Sequence, residues 1–534
     1  MTTTALDPNS LEKVEQSLAL MRPFGDGDYI DARTRERYEQ RLGMLAPTVP
    51  EARAFLDALK QSDGLTAYRI IGDPVVRDAV HTLLGHFTLH MPQHDVEDCL
   101  EVLRVGADHL TRRTGASPLS LASARLERLG DKPHHGWVWM EERQEDVFGR
   151  RFKKMYREHL PRITTLTPDA KQLENLRLGT QLLEELLPEL SRSALTHTHL
   201  VVISDIYSDV PQPPGESGIF TSVTNPHVLG TIFLAPHLLR NPWIAAEYLL
   251  HESLHQKFLD LEHTHSMLRR GYKASESPVI IPPWHRARTT GPDRWEVNRS
   301  ISVTHVYTAL ALFFSRVHLN LERLQERYGP IQVDVPLSIR QSFDRATYLG
   351  EKLQGAEDEL GLAGQRFLGW LNQTLKLFDP APPPPGSYVH LLLDLYDREA
   401  QDIAARLTRA SDEDLSRELG GALAVPELTH VPKIVEHLVD AEVRTARDAL
   451  GVLGVEVPER LEVPASDIDA APSGREVMAE RFKRTRMNIS QALRKASWTT
   501  YQQTTADALV RDMVVTSGQR LNMIIKHLNP NTFL

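Results

Sequence analysis

Through the first ~160 residues apolar side chains recur every three or four positions between short polar breaks, the spacing of amphipathic helices. The pattern predicts helices at 11–21, 33–45, 51–59, 74–87 and 96–112, with the prolines at 74 and 92 marking helix starts. A second helical group spans 145–195, broken near Pro161 and Pro168. The texture changes after His199. Leu200–Ile203, Ile219–Val223 and Thr231–Leu234 are short β-branched or apolar runs between turn residues, and they predict three strands. Asn241-Pro242 then supplies an N-cap and a first-turn proline, and Trp243 to Leu261 runs without Gly or Pro and is apolar on most sides. Helices resume with Asp293 as the cap of a long one, from Arg294 to about Leu321 on the same rules. The proline-rich stretch 379–386 is the clearest linker, and 456–474 is a second break.

This order predicts a mainly α chain with a small β-sheet (α+β), in three parts. These are a helical N-terminal region (1–195), a core (196–378) and a helical C-terminal region (387–534). A chain of 534 residues can bury a large interior, and 25% charged with 41% hydrophobic residues is ordinary for a globular protein. The formal charge of −10 argues against general nucleic-acid binding. A single cysteine, Cys99, excludes internal disulfides and multi-thiolate metal sites. The N-terminus lacks the features of a signal peptide, and the longest apolar run, near Val306–Phe314, is far short of a membrane span. A reducing cytoplasm is the expected setting.

The chemistry concentrates in His251-Glu252-Ser253-Leu254-His255. Imidazoles four positions apart lie about 40° from one another around a helix, so both reach one metal ion from one face. Glu252 sits beside that ion as a base or an orienting group. A helix of this kind fed by a short sheet is the arrangement of zincin-like metalloenzymes. The third His of the longer zinc-peptidase motif is missing: its place is Leu261, and His263 and His265 are out of register. The better third ligand is His305, which shares a helix face with Asn298, Ile301, Ser302, Thr308, Ala309 and Leu312. Between the two helices, Ser266–Ser300 carries seven basic residues against three acidic, a local charge of +4. A peptidase needs no anion beside its zinc, whereas an iron enzyme that chelates a 2-oxo acid needs an arginine for the far carboxylate. Pro282-Pro283-Trp284 within the same segment predicts an ordered wall.

His251 to Lys257, Pro283 to Arg286, Arg299, His305 to Tyr307 and the segment Arg69 to Arg77 together resemble the HExxH-containing peptide-modification proteins. These are 2-oxoglutarate-dependent hydroxylases found beside ribosomally made, post-translationally modified peptides. The resemblance implies Fe(II) on His251, His255 and His305, with Trp284 and arginines lining the cosubstrate region. Here His285 separates Trp284 from Arg286, and the arginines that hold the cosubstrate rank Arg299, Arg286, Arg288. The implied reaction consumes 2-oxoglutarate and O2 and hydroxylates an unactivated C–H, at the β-carbon of a residue in a precursor peptide.

The alternative is a zinc-dependent metallopeptidase with Glu252 as general base, a distant glutamate (Glu276 or Glu296) as third ligand, and Tyr307 or His285 at the oxyanion. A third possibility is a degenerate scaffold that only binds a peptide. His134-His135 and the pair His197/His199 resemble ligands only in isolation. The basic run Arg481–Arg486, with Arg494 and Lys495, is read as a solvated helix face, with an acidic leader peptide or a nucleic acid as its other possible use. There is no GxSxG, P-loop or nucleotide-binding glycine fingerprint.

Overall fold

The computed structural model describes residues 7–91, 95–112, 124–142, 147–206, 221–280, 282–284, 295–378, 389–409, 431–453 and 474–500, together with short stretches near 411, 458–468 and 510–517. The N-terminal helices are α1 (Pro8–Leu20), α2 (Gly27–Leu45), α3 (Pro50–Gln61), α4 (Gly64–Gly72), α5 (Pro74–Phe87) and α6 (Val96–Arg112). Strands and helices then interleave: β1 (Ala124–Arg128), β2 (Trp137–Glu142), α7 (Val147–His159), β3 (Ile163–Leu166), α8 (Ala170–Leu186), α9 (Pro188–Leu195), β4 (Leu200–Ile206), β5 (Ser222–Thr224) and β6 (Thr231–Leu234). The remainder is helical: α10 (Pro242–Thr264), α11 (Val297–Leu319), α12 (Leu321–Tyr328), α13 (Val335–Gln354), α14 (Leu362–Phe378), α15 (Val389–Arg409), α16 (Val431–Val452) and α17 (Gly474–Thr500). No described helix is long and apolar enough to cross a membrane.

The expectation of a mainly helical chain with a small sheet holds. The sheet is larger than expected, with six strands in the order β1-β2-β4-β6-β5 and β3 paired to the second half of β4. β4 runs parallel to β2 and β6, while β5 closes the edge antiparallel to β6. Three strands therefore come from the chain before residue 195, so the sheet draws on both sides of that expected boundary. Alternation explains why Leu200–Ile203 of β4 and Ile232–Leu234 of β6 are continuous apolar runs. Val201, Ile203, Ile232 and Leu234 enter one core with α10 and α11, whereas Leu200, Val202 and Phe233 enter a second with α2–α7. The C-terminal helices α15–α17 pack their own core around Tyr396, Val439 and Phe482.

Two further differences bear on the site. The long helix after the basic segment begins at Val297, with Glu296 at the N-cap position, and Asp293 lies outside the described residues. The basic run in α17 is solvated only in part: Arg484 is exposed, while Arg486 and Arg494 point into the core. Arg486 is buried over the Tyr396 ring and bonds Glu399 at 3.2 Å, and Arg494 bonds Asp394 and Asp397 at 2.8 Å each. An unpaired guanidinium inside a protein is too costly to keep, which is why each has carboxylates beside it.

Candidate metal and cosubstrate site

Helix α10 starts where its sequence says it should: the Asn241 side chain accepts the Ile244 amide at 2.9 Å, with Pro242 in the first turn. Its positions are buried except for one partly open stripe and the final turn. Ile244, Glu247, Tyr248, His251 and His255 form that stripe at helical spacing, so both motif histidines lie on the one face that a ligand can approach.

The polar residues of the motif and the two turns after it are held from distant parts of the chain. Thr224 Oγ1, on edge strand β5, donates to Glu252 Oε2 at 2.6 Å. Thr198 donates to Ser253 Oγ, and Gln256 clamps the entry to β6 by accepting the Gly230 amide and donating to the Thr231 carbonyl. Lys257 is fully buried, with Nζ donating to the carbonyls of Leu18 and Gly25 and to Ser193 Oγ; burial pushes its pKa down to about 7. Asp260 receives Tyr68, Arg77 and His197 at 2.7, 2.5 and 2.8 Å. Burial alone would raise that carboxyl, and Arg77 and His197 hold it well below the usual range instead. The segment Arg69–Arg77 thus reaches α10 through Arg77, while Arg69 is buried near His199.

His251 and His255 stand with ring centroids 5.0 Å apart, and Tyr248 stacks on His251. His255 Nδ1 lies 2.7 Å from Ser302 Oγ on α11. In the tautomer that donates Nδ1–H to this hydroxyl, the Nε2 lone pair is free, the arrangement expected of a metal-bound imidazole. Burial keeps both rings neutral by lowering their pKa, and for His255 the neighbouring His251, His305 and Arg299 lower it further. Arg299 is therefore close to the motif electrostatically, and its guanidinium lies 4.8 Å from the Trp295 ring centroid.

His305 acts on His255 through space but does not gather with the pair into a group of ligand atoms within 4.8 Å. Its ring is fully buried against Phe367 and Trp370, at centroid distances of 5.4 and 5.9 Å, and neither nitrogen has a hydrogen-bond partner among the described residues. Among the described residues, the one group of three His, Cys, Asp or Glu ligand atoms within 4.8 Å of one another is His134, His135 and Glu184. His305 was expected as third ligand because it shares the α11 face that meets α10; on that face it packs deeper, among aromatic rings. The glutamates of the peptidase alternative do no better. Glu276 is exposed and paired with Lys273, and neither it nor Glu296 gathers with the two histidines.

Trp284 is a wall, as its proline context predicts. Its ring meets those of Trp295, Tyr307 and Tyr348 edge-on at 6.0, 5.8 and 5.9 Å, and Arg345 lies over it at 5.2 Å. Arg398 from α15 donates to the Pro283 carbonyl at 2.9 Å. His285, Arg286 and Arg288 lie outside the described residues. Sequence reasoning missed Thr224, Ser302 and Arg345. The hydroxyls are ordinary residues until the fold puts them beside Glu252 and His255, and Arg345 lies on α13, with no motif around it.

Beyond the motif, a cleft of about 450 Å³ opens along the same helix, lined by Leu259, Glu262 and His263 with Arg77, His81 and His227. Burial pushes Glu262 up to about 7, against a hydrogen bond from Asn298. His197, which resembles a ligand only in isolation, serves in the Asp260 cluster, and His199 fills the space left by Gly72 and Gly230. In comparisons with known proteins, no family model and no curated sequence matches the chain.

Proposed function

We propose that this chain is an Fe(II)- and 2-oxoglutarate-dependent hydroxylase acting on a peptide, built on a zincin-like core. The residues fit a metal as a two-imidazole anchor: His251 and His255 are neutral, share the open stripe of α10, and His255 is tied through the nitrogen that a metal would not use. The third protein ligand is left unassigned, because His305 acts on His255 through space but does not gather with the pair within 4.8 Å. When bound, Fe(II) with 2-oxoglutarate and O2 supplies the oxidising power to hydroxylate an unactivated C–H, with release of succinate and CO2.

The observation that supports this reading is that Arg299, seated over the Trp295 ring, acts electrostatically on His255. A guanidinium in this neighbourhood suits a dicarboxylate cosubstrate, whereas a neutral scissile amide has no use for one. The peptidase and hydroxylase readings lack a third ligand equally, and this charge is what favours the hydroxylase. Arg299 would take the far carboxylate, and the Trp284–Tyr307 aromatic wall would exclude water from it. Ser302 would fix the His255 ring, and Glu252, pinned by Thr224 through Oε2, would offer Oε1 to orient the substrate backbone. The substrate proposed from the family resemblance is a ribosomally made precursor peptide, and the setting is the cytoplasm.

The test is anaerobic reconstitution of the full chain with Fe(II) or Zn(II), followed by 2-oxoglutarate. A charge-transfer absorption that needs both Fe(II) and 2-oxoglutarate, and succinate formed once O2 is admitted, support the hydroxylase. Peptide cleavage by the Zn(II) form without cosubstrate would overturn it in favour of the peptidase, and failure to hold either metal would leave a peptide-binding scaffold.

A further inference from the structure

The loop between β1 and β2 brings His134 and His135 against Glu184 on α8. His135 Nε2 lies 3.0 Å and His134 Nε2 3.7 Å from the same Glu184 Oε1, and the two rings meet edge-on at 4.6 Å. Neither Nε2 makes a hydrogen bond among the described residues, although both are buried. A simple His–Glu hydrogen bond would point the ring N–H at the carboxylate, and here the approach misses that direction. Three ligand atoms within 4.8 Å of one another are instead the arrangement found around a shared cation. The edges of a tetrahedron of N and O ligands around Zn(II) are about 3.3 Å, given bonds of about 2.0–2.1 Å, close to the spacing seen.

We propose that His134, His135 and Glu184 form a second metal site, for a divalent cation of the Zn(II) class. Two imidazoles and one carboxylate are borderline ligands that suit Zn(II) or Co(II) better than Ca(II) or Mg(II). The His135 side chain is 1% exposed, and its Nδ1 lies 3.3 Å from the Lys132 amide and beside the Gly130 carbonyl; the tautomer that donates Nδ1–H to that carbonyl leaves the Nε2 lone pair for a metal. His134 and Glu184 are 17% and 23% exposed, so a water molecule can fill the fourth position. Lys132, Arg69, Arg128 and Arg192 surround the group and weaken its hold on a cation. Two of them are engaged elsewhere: Arg192 pairs with Asp28 at 2.6 Å, and Arg128 donates to the Lys132 carbonyl at 2.7 Å. A metal here would staple the β1–β2 hairpin to α8, far in sequence from the His251 pair and independent of it.

The experiment is a Co(II) titration of the chelator-treated full chain, read by visible absorption and by equilibrium dialysis. The His251→Ala/His255→Ala double variant should still bind one Co(II), and Glu184→Gln or His135→Ala added to it should weaken that binding at least tenfold, with far-UV circular dichroism unchanged. Should the double variant fail to fold, the single change Glu184→Gln in the wild-type chain should lower the stoichiometry by one ion. Equal Co(II) binding with and without Glu184 and His135 would overturn the proposal, whatever the outcome at the His251 pair.

Discussion

At the scale of single residues, charge placement is what separates the candidate chemistries. Arg299 stacks on Trp295 and lowers the pKa of His255 through space. Arg299→Ala should raise the 2-oxoglutarate concentration needed for half-maximal succinate formation by about tenfold or more, the ~1.4 kcal/mol or more expected of a charge-assisted hydrogen bond. Stoichiometric Fe(II) binding should persist; a variant with unchanged cosubstrate dependence would remove Arg299 from the site. Glu262 offers a pH signature. Its folded pKa, raised by burial from 4.5 to about 7, exceeds its unfolded value. Its contribution to stability is therefore full below the unfolded pKa and is lost as pH rises through about 7. Urea melts at pH 5 and 8 should show a smaller loss of stability with rising pH in Glu262→Gln than in the wild type.

At the scale of elements, α10 is where sequence and structure agree best, for a physical reason. Its cap, its proline and its unbroken apolar content are local signals, and local signals need no partner to be read. The i, i+4 histidines on its open stripe were legible for the same reason. What was not legible depends on contact. The β1–β2 hairpin was absorbed into a helical reading of the first ~160 residues because its strands are short and gain their burial only against β4. For His305, helix periodicity gives a face but not a depth. Glu184 carries no motif, so only the fold could bring it to His134 and His135. Asp260 is the strongest element-level test. Its folded pKa lies below the unfolded 3.8, so its contribution stands above that value and is lost as pH falls through the folded one. Asp260→Asn at neutral pH leaves Arg77 buried without its counter-charge and should cost about 3–5 kcal/mol in urea unfolding. A loss below 1 kcal/mol would show that the cluster is not what fastens α5 to α10.

At the scale of the whole molecule, the C-terminal helices are not an appendage. Arg398 on α15 holds the Pro283 carbonyl, and Asp394 on the same helix pairs with Arg345 at 3.0 Å, whose guanidinium lies over Trp284. The wall beside the candidate site is thus braced from the far side of the proline-rich linker expected at 379–386. Arg398→Ala should weaken 2-oxoglutarate binding severalfold while leaving Fe(II) stoichiometry intact, as measured by isothermal titration against the iron-loaded protein. Equal affinity in the variant would mean that the brace has no bearing on the cosubstrate.

The cluster around Asp260 has a consequence for how this protein can be divided. The motif helix keeps a carboxylate in its interior whose neutralising charge, Arg77, comes from nearly two hundred positions earlier, and a lysine whose acceptors belong to residues 18, 25 and 193. A fragment trimmed to 196–378 would carry both motif histidines yet leave an anion and a cation stranded in oil-like surroundings. Such a piece should be recovered as aggregate or as a non-cooperative collapsed state, with no sharp thermal transition. The chemistry of this chain is not portable: it travels with its first two hundred residues or not at all.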